Sequence, residues 1–375
     1  MRVLRRLIWR EVASSVAFAT LAFLALFFFF DILDELRWVG RSSGAAGAVP
    51  WSLSHALLYV LLGQPKHLYE LLPITVLIGT IFVMARLAQS SEFTIMRTSG
   101  LGPWRALSTL LLLGIAFTLG TFAIGDYLAP ASERAAQRVK ALRQGQISTG
   151  ATGAWLKERQ GTHTFAVNVR AVDPNGQMQG VRIFEFDAAS RVVSTWQAGQ
   201  ADFDASGQGW NLTQVQRDHF QRSNSESENT QVKRQSQASM HWPSSITPEM
   251  VATALLKPDR MATFDLFRYI RHLEVNGQAA QRYEIEFWRK VFYPLSCLVM
   301  VVLALPFAYL HFRSAGIAVY VFGGVMAGIS FFLLNNVFGF VGNLHQWKPW
   351  LTAAAPGLIY SALSLAAFGW LVLRH

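Results

Sequence analysis

The apolar residues of this chain are gathered into uninterrupted blocks, each about as long as a bilayer core is thick, and this constrains the fold more than any other feature. A helix needs roughly 20 largely apolar residues to cross a membrane. Runs near that length occur at Val12–Phe30, Leu68–Met84, Ala106–Ile124, Val291–Leu310, Ala315–Phe340 and Trp350–Leu373. Six transmembrane helices are therefore predicted, the second borrowing length from its flanks because it carries Glu70 and Pro73. With 52% hydrophobic residues among 375, an ordinary soluble domain is excluded. The Arg-rich start ahead of the first run imitates a signal peptide. That run ends in Phe27-Phe28-Phe29-Phe30-Asp31 without a small-residue cleavage site, so it is expected to remain as an anchor.

The formal charge of +10 does not point to nucleic acid, because no nucleic-acid-binding motif surrounds the basic residues. They cluster at the ends of the runs: Arg2, Arg5, Arg6 and Arg10; Arg86, Arg97 and Arg105; His311 and Arg313; and Arg374. Cytoplasmic loops carry the excess of Lys and Arg, so both termini are expected in the cytoplasm and the long segment between the third and fourth runs outside it. The single cysteine, Cys297, lies within the fourth run, so no intrachain disulfide is possible and a small packing role is expected.

Between the first two runs, Arg41–Pro50 is rich in Gly, Ala and Ser, and Trp51–Leu62 is apolar but too short to cross. It is expected either along the outer interface, with Trp51 and Tyr59 at headgroup level, or as a short re-entrant helix. Beyond Ala131 the charged residues Glu133, Arg134, Arg138, Lys140 and Arg143 predict that the third helix leaves the membrane as a polar stalk. Strand periodicity follows in His163–Arg170, Val181–Phe186, Val192–Ala198, Trp210–His219 and Val232–Met240, with Asp173-Pro174-Asn175-Gly176 as a turn. No crossover helices fit between these strands, which excludes a doubly wound nucleotide-binding domain and favours an antiparallel sandwich or roll. Short helices are predicted after Thr247-Pro248-Glu249 and over Asp265–Glu274, the latter stopped by Asn276-Gly277. The domains read as 1–134 (first membrane half), 135–263 (all-β, jelly-roll-like, inserted between helices 3 and 4) and 264–375 (a short helix and the second membrane half). The halves show no residue-level repeat.

No phosphate-binding loop, His-Glu-x-x-His, Cys-x-x-Cys or Gly-x-Ser-x-Gly motif occurs, so the chain is not expected to be an enzyme or to hold a metal or cofactor. Gly125-Asp126 lacks the second aspartate that a membrane aspartyl protease needs. The inside loop Ala88–Gly100 forms a short amphipathic helix in this reading, with Phe93 and Met96 on one face, Glu92 and Arg97 as charges and Gly100 as its stop before Pro103. It either docks in a groove of a cytoplasmic partner or lies solvated on the membrane.

That loop, with Phe30-Asp31-Ile32-Leu33-Asp34-Glu35-Leu36, Leu71-Leu72-Pro73, Trp288-Arg289-Lys290-Val291-Phe292-Tyr293-Pro294-Leu295-Ser296, Ala304-Leu305-Pro306-Phe307, Arg313-Ser314 and Asn335-Asn336, resembles the LptF/LptG permeases of lipopolysaccharide export. The run from Phe30 to Leu36 is more like the LptG branch. The resemblance covers the membrane part and, in length and position only, the strand-rich segment. It implies an LptF-like permease as the other half of a heterodimer and a separate LptB-like ATPase dimer that uses ATP and Mg. It further implies a jelly roll in the periplasm that passes lipid to LptC-like and bridge proteins. The inside loop becomes a coupling helix, with Glu92, Phe93, Met96, Arg97 and Gly100 as its contact residues and Glu92 foremost.

A lipopolysaccharide cavity needs apolar walls and basic groups for phosphate. The expected substrate set is Phe27, Phe30, Asp34, Arg37, Arg41, Lys66, Arg134, Arg289 and Lys290, with Arg37 placed on an extension of the first helix; snorkelling at the interface explains each cation equally well. Asp31 and Asp34 stand where some relatives are expected to carry basic residues, which counts against direct phosphate binding by this helix; their acids are expected instead to pair with a partner helix. Pro294, Pro306, Asn335 and Asn336 are candidates for a gate or kink, or, for the asparagines, ordinary hydrogen bonding between helices. Two other readings remain open, a non-transporting scaffold and an ion-driven lipid transporter.

Overall fold

The computed structural model describes residues 2–41, 50–98, 100, 102–144, 153–173, 176–204, 209–222, 230–254, 258–309 and 317–374. His311, Arg313-Ser314 and the Pro174-Asn175 turn pair lie outside the described residues. Six helices among the described residues are long and apolar enough to cross a membrane: Val3–Leu36, Leu53–Gln89, Pro103–Lys140, Gln281–Tyr309, Ile317–Leu344 and Pro349–Trp370. The chain forms two compact units, one of residues 1–35, 60–133 and 281–375, the other of 36–59 and 134–280.

The first unit is helical. Helix α1 (Arg2–Leu36) lies against α2 (Leu53–Gln89). Gly79 of α2 sits so close to α1 that an added Cβ would fall 2.7 Å from the Val16 backbone nitrogen, and Thr20 donates to Thr75 at 2.9 Å. Small residues and hydroxyls of this kind join helices where lipid supplies no hydrophobic drive. Helix α2 corrects the sequence reading of an interfacial run followed by a separate span, because it continues unbroken for 37 residues with Pro65 and Pro73 inside it. A proline removes one backbone donor, whereas ending a helix inside an apolar medium would strand several polar groups. Trp51 is likewise not at an exposed interface. It is 1% exposed, with its ring 5.6 Å from that of His55 and 6.3 Å from that of Tyr59.

A short helix α3 (Glu92–Thr98) precedes α4 (Pro103–Ala123), a π-helical segment at Ile124–Leu128 and α5 (Ala129–Gln144). The fourth span begins ten residues before the apolar run that betrays it, as amphipathic α8 (Gln281–Phe292). A 3₁₀ turn at Tyr293–Leu295, α9 (Ser296–Ala304) and a second 3₁₀ turn at Leu305–Tyr309 complete it. Helices α10 (Ile317–Leu344) and α11 (Pro349–Arg374) close the unit. Its core gathers Val12, Leu77, Met84, Cys297, Met300 and Ala304, all at most 1% exposed.

The second unit is built on one antiparallel sheet in the order β1 to β6: Ala154–Gln160, His163–Val172, Met178–Phe186, Val192–Phe203, Gly209–Arg222 and Thr230–Pro243. Inward residues alternate as the period of two requires, including Phe165, Val167, Val169, Ile183, Trp196 and Leu212. The sheet is strongly curved. Strands β1 and β6 stand five places apart, about 24 Å if the sheet were flat. Yet Glu158 of β1 accepts hydrogen bonds from Ser244 Oγ and Ser245 N just past β6, both at 2.6 Å, and Gln160 donates to Pro243 O. The rings of Phe165 and Trp242 also meet, at 6.3 Å. Strand β1 has no counterpart among the predicted strands. Helix α6 (Pro248–Ala254) and helix α7 (Thr263–Val275) complete this unit, with Leu266, Tyr269, Ile270 and Leu273 of α7 buried.

Candidate functional site

Two groups of predicted residues come together in the helical unit, one around α3 and one around the first 3₁₀ turn of the fourth span. In α3, Phe93 is 2% and Met96 7% exposed, in one cluster with Ala304, Leu305, Ala308 and Tyr309. The Phe93 and Tyr309 rings meet edge to face at 5.0 Å. The apolar face expected to meet a partner is thus turned onto the chain's own fourth span, because burying two large side chains there removes more apolar surface than leaving them in water. What α3 presents outward is Glu92, with Ile95 one turn on at 64% exposed. Arg97 belongs to this helix, and its side chain lies outside the described residues. Gly100 ends the segment at φ +98°, a left-handed conformation suited to glycine, and its carbonyl accepts from Arg105 at 3.0 Å.

The second group is a polar layer drawn from five helices. On α1 and α2, Phe27 stacks on His67 at 4.7 Å, and His67 Nε2 lies 3.0 Å from Asp31. Lys66 is 3.8 Å from Glu70, whose backbone carbonyl accepts from Tyr293 Oη at 2.6 Å. Lys290 is 7% exposed and donates to the carbonyl of Gly125 at 3.1 Å, beside the Tyr69 ring. Gly125 lies in the π-helical segment, and a Cβ there would collide with the Tyr69 ring, so the approach of α2 requires glycine. Arg289 is 3.7 Å from Glu286 and donates to Asn336 at 2.6 Å.

The predicted substrate set therefore divides. Phe27, Phe30, Asp34, Lys66, Arg289 and Lys290 belong to the helical unit, whereas Arg37, Arg41 and Arg134 belong to the sheet unit. Phe30 is 56% exposed. Arg37 is not on an extended first helix as expected, because α1 ends at Leu36 and a turn follows. Arg134 stands 4.0 Å from Asp265. Of the gate candidates, Pro294 and Pro306 each lie in a 3₁₀ turn. Asn335 donates to Phe331 O in its own helix, and Asn336 serves Arg289. Sequence reasoning missed His67, Tyr69, Gly125 and Tyr293 as members of this layer. Only the paired Tyr69-Glu70 and Arg289-Lys290 at the ends of apolar runs signalled it.

Residues 6–372 match the family described as lipopolysaccharide export system permease LptF/LptG. The chain is similar to the lipopolysaccharide export system permease protein LptG of Escherichia coli strain K12, 28% identical over 374 residues that cover 99% of this chain and 98% of that protein. It is also similar to the LptG of Haemophilus influenzae, 26% identical over 376 residues, covering 100% of this chain and 99% of the relative. With six apolar helices, an antiparallel β domain inserted between the third and fourth, and a match over nearly its whole length, the chain belongs to the LptF/LptG family of lipopolysaccharide export permeases.

Proposed function

We propose that this chain is a transmembrane permease subunit of an ABC-type exporter that extracts lipopolysaccharide from the inner membrane and passes it to a periplasmic bridge. In this reading it pairs with an LptF-like permease, a separate LptB-like ATPase dimer supplies ATP hydrolysis with Mg, and LptC-like and bridge proteins receive the lipid. Both termini then face the cytoplasm and the sheet faces the periplasm, following the distribution of basic residues. The sequence holds no phosphate-binding loop, which agrees with ATP hydrolysis by a partner.

The observation that carries the reading is the two-faced α3. Its inward face, Phe93 and Met96, grips the end of the fourth span, and its outward face offers Glu92 and Ile95. A helix built this way converts a push on its outer face into movement of the span beneath it. ATP-dependent release of lipopolysaccharide from proteoliposomes holding the assembled complex tests this. Glu92→Ala is expected to lower release with assembly intact, and release at the wild-type rate would move the coupling contact elsewhere.

A further inference from the structure

Helix α7 carries apolar side chains on two opposite faces. One face, with Leu266, Tyr269, Ile270 and Leu273, is buried in the sheet unit. The other exposes Phe264 at 65%, Phe267 at 46% and Val275 at 77%, in line with Arg268 and Arg271, the i, i+3, i+4, i+7 and i+11 positions of one helical stripe. The two arginines fold back over the two phenylalanines, Arg268 lying 5.2 Å from the Phe264 ring and Arg271 5.9 Å from the Phe267 ring. Burial holds His272 below the ordinary imidazole range, against a smaller upward pull from Glu158, so the positive charge of the helix rests on the arginines. Asp265 is turned toward Arg134.

A stripe of this composition is suited to one environment in particular. Phenylalanines insert among acyl chains while guanidinium groups on the same face hold phosphate oxygens in bidentate fashion, the arrangement of helices that lie in a membrane surface. The chain length supports that occupant. Residues 276–280 are all that separate Val275 from Gln281, the first residue of a helix long and apolar enough to span a membrane. Five connecting residues cannot carry the stripe more than about 20 Å from that helix end.

We propose that the exposed face of α7 docks on the phospholipid surface of the membrane in which the chain is embedded, with Phe264 and Phe267 entering the acyl boundary and Arg268 and Arg271 bound to lipid phosphates. The proposal rests on the membrane-permease reading but not on lipopolysaccharide transport. The lipid-docked helix then holds the segment that leads into the fourth span at the membrane surface.

The test uses the full chain with Cys297→Ala, so that a single nitroxide can be placed at Phe264→Cys or Val275→Cys, with Ala189→Cys on an exposed turn as a water reference. The protein is reconstituted in vesicles of phosphatidylethanolamine and phosphatidylglycerol, and collision with oxygen is compared with collision with a water-soluble nickel chelate. Preference for oxygen at 264 and 275, against preference for nickel at 189, is the expected result. Nickel preference at 264 and 275 would overturn the proposal, and so would protection from both reagents, which signals a covering protein. Replacing Arg268 and Arg271 by Gln is expected to abolish the oxygen preference; an unchanged preference would overturn the role given to the arginines. None of these readings requires ATP or lipopolysaccharide, so a failure here leaves the exporter assignment standing and a failure of export leaves this one standing.

Discussion

A lysine left at 7% exposure inside a membrane-spanning helix is tolerable only if its ammonium is held, and Lys290 is held by the Gly125 carbonyl at the π-helical segment of the third span. A π-helical turn shifts the regular backbone bonding, so a carbonyl there is well placed to accept from outside its own helix. The bond ties the third span to the fourth beside Tyr69, while Tyr293, one turn further along, ties the fourth to the second through Glu70 O. Lys290→Met keeps most of the length of the side chain and removes the donor. It is expected to lower the stability of the chain by about 1–3 kcal/mol, the usual cost of leaving a buried polar group unpaired. Retention of lipopolysaccharide by the protein that remains folded should be almost unchanged. Thermal unfolding of the detergent-solubilised chain beside a lipid-retention assay separates the two effects. Loss of retention at unchanged stability would return Lys290 to the phosphate contacts.

At the scale of elements, the junction between α3 and the fourth span gives the sharpest expectation. Phe93 stands against Tyr309 at the 3₁₀ turn that holds Pro306, so α3 is packed on a segment already without a regular helical ladder. Truncating a large buried aromatic side chain costs about 3–5 kcal/mol where it packs fully. If the proposed partner ATPase acts through α3, its push should no longer reach the span in Phe93→Ala. ATP hydrolysis by the assembled complex is expected to persist while lipopolysaccharide release falls, and Phe93→Leu should recover much of the release. If hydrolysis and release fall together in both variants, the junction is only structural. The spans and most strands were legible in sequence because length and periodicity report burial directly. Strand β1 was not, because the inward position that completes its alternation is Glu158, a charge buried at 3% exposure only because Ser244 and Ser245 meet it from the other end of the sheet. The start of α2 was hidden for a related reason. Gly63, Gln64 and Pro65 look like a break, yet the Gln64 side chain donates to Val60 O and the helix continues. In both places a long-range or membrane constraint outweighs the local signal.

At the scale of the whole molecule, the sheet unit extends beyond the segment 135–263 that composition marks out. It includes residues 36–59 and continues to Ala280. The extension is not decorative. Leu266, Tyr269 and Leu273 of α7 are at most 4% exposed, and Asn276 accepts a hydrogen bond from the backbone of Arg159 in β1 through its Oδ1 at 3.0 Å. Cutting at 263 removes those three side chains, each worth roughly 1.5–3 kcal/mol when buried. That loss approaches the entire stability of a typical domain. A fragment of residues 134–280 is therefore expected to show β-type circular dichroism and a cooperative thermal transition, whereas 135–263 should lose the transition or melt far lower. Equal melting of the two fragments would mean that α7 rests on the sheet without supporting it.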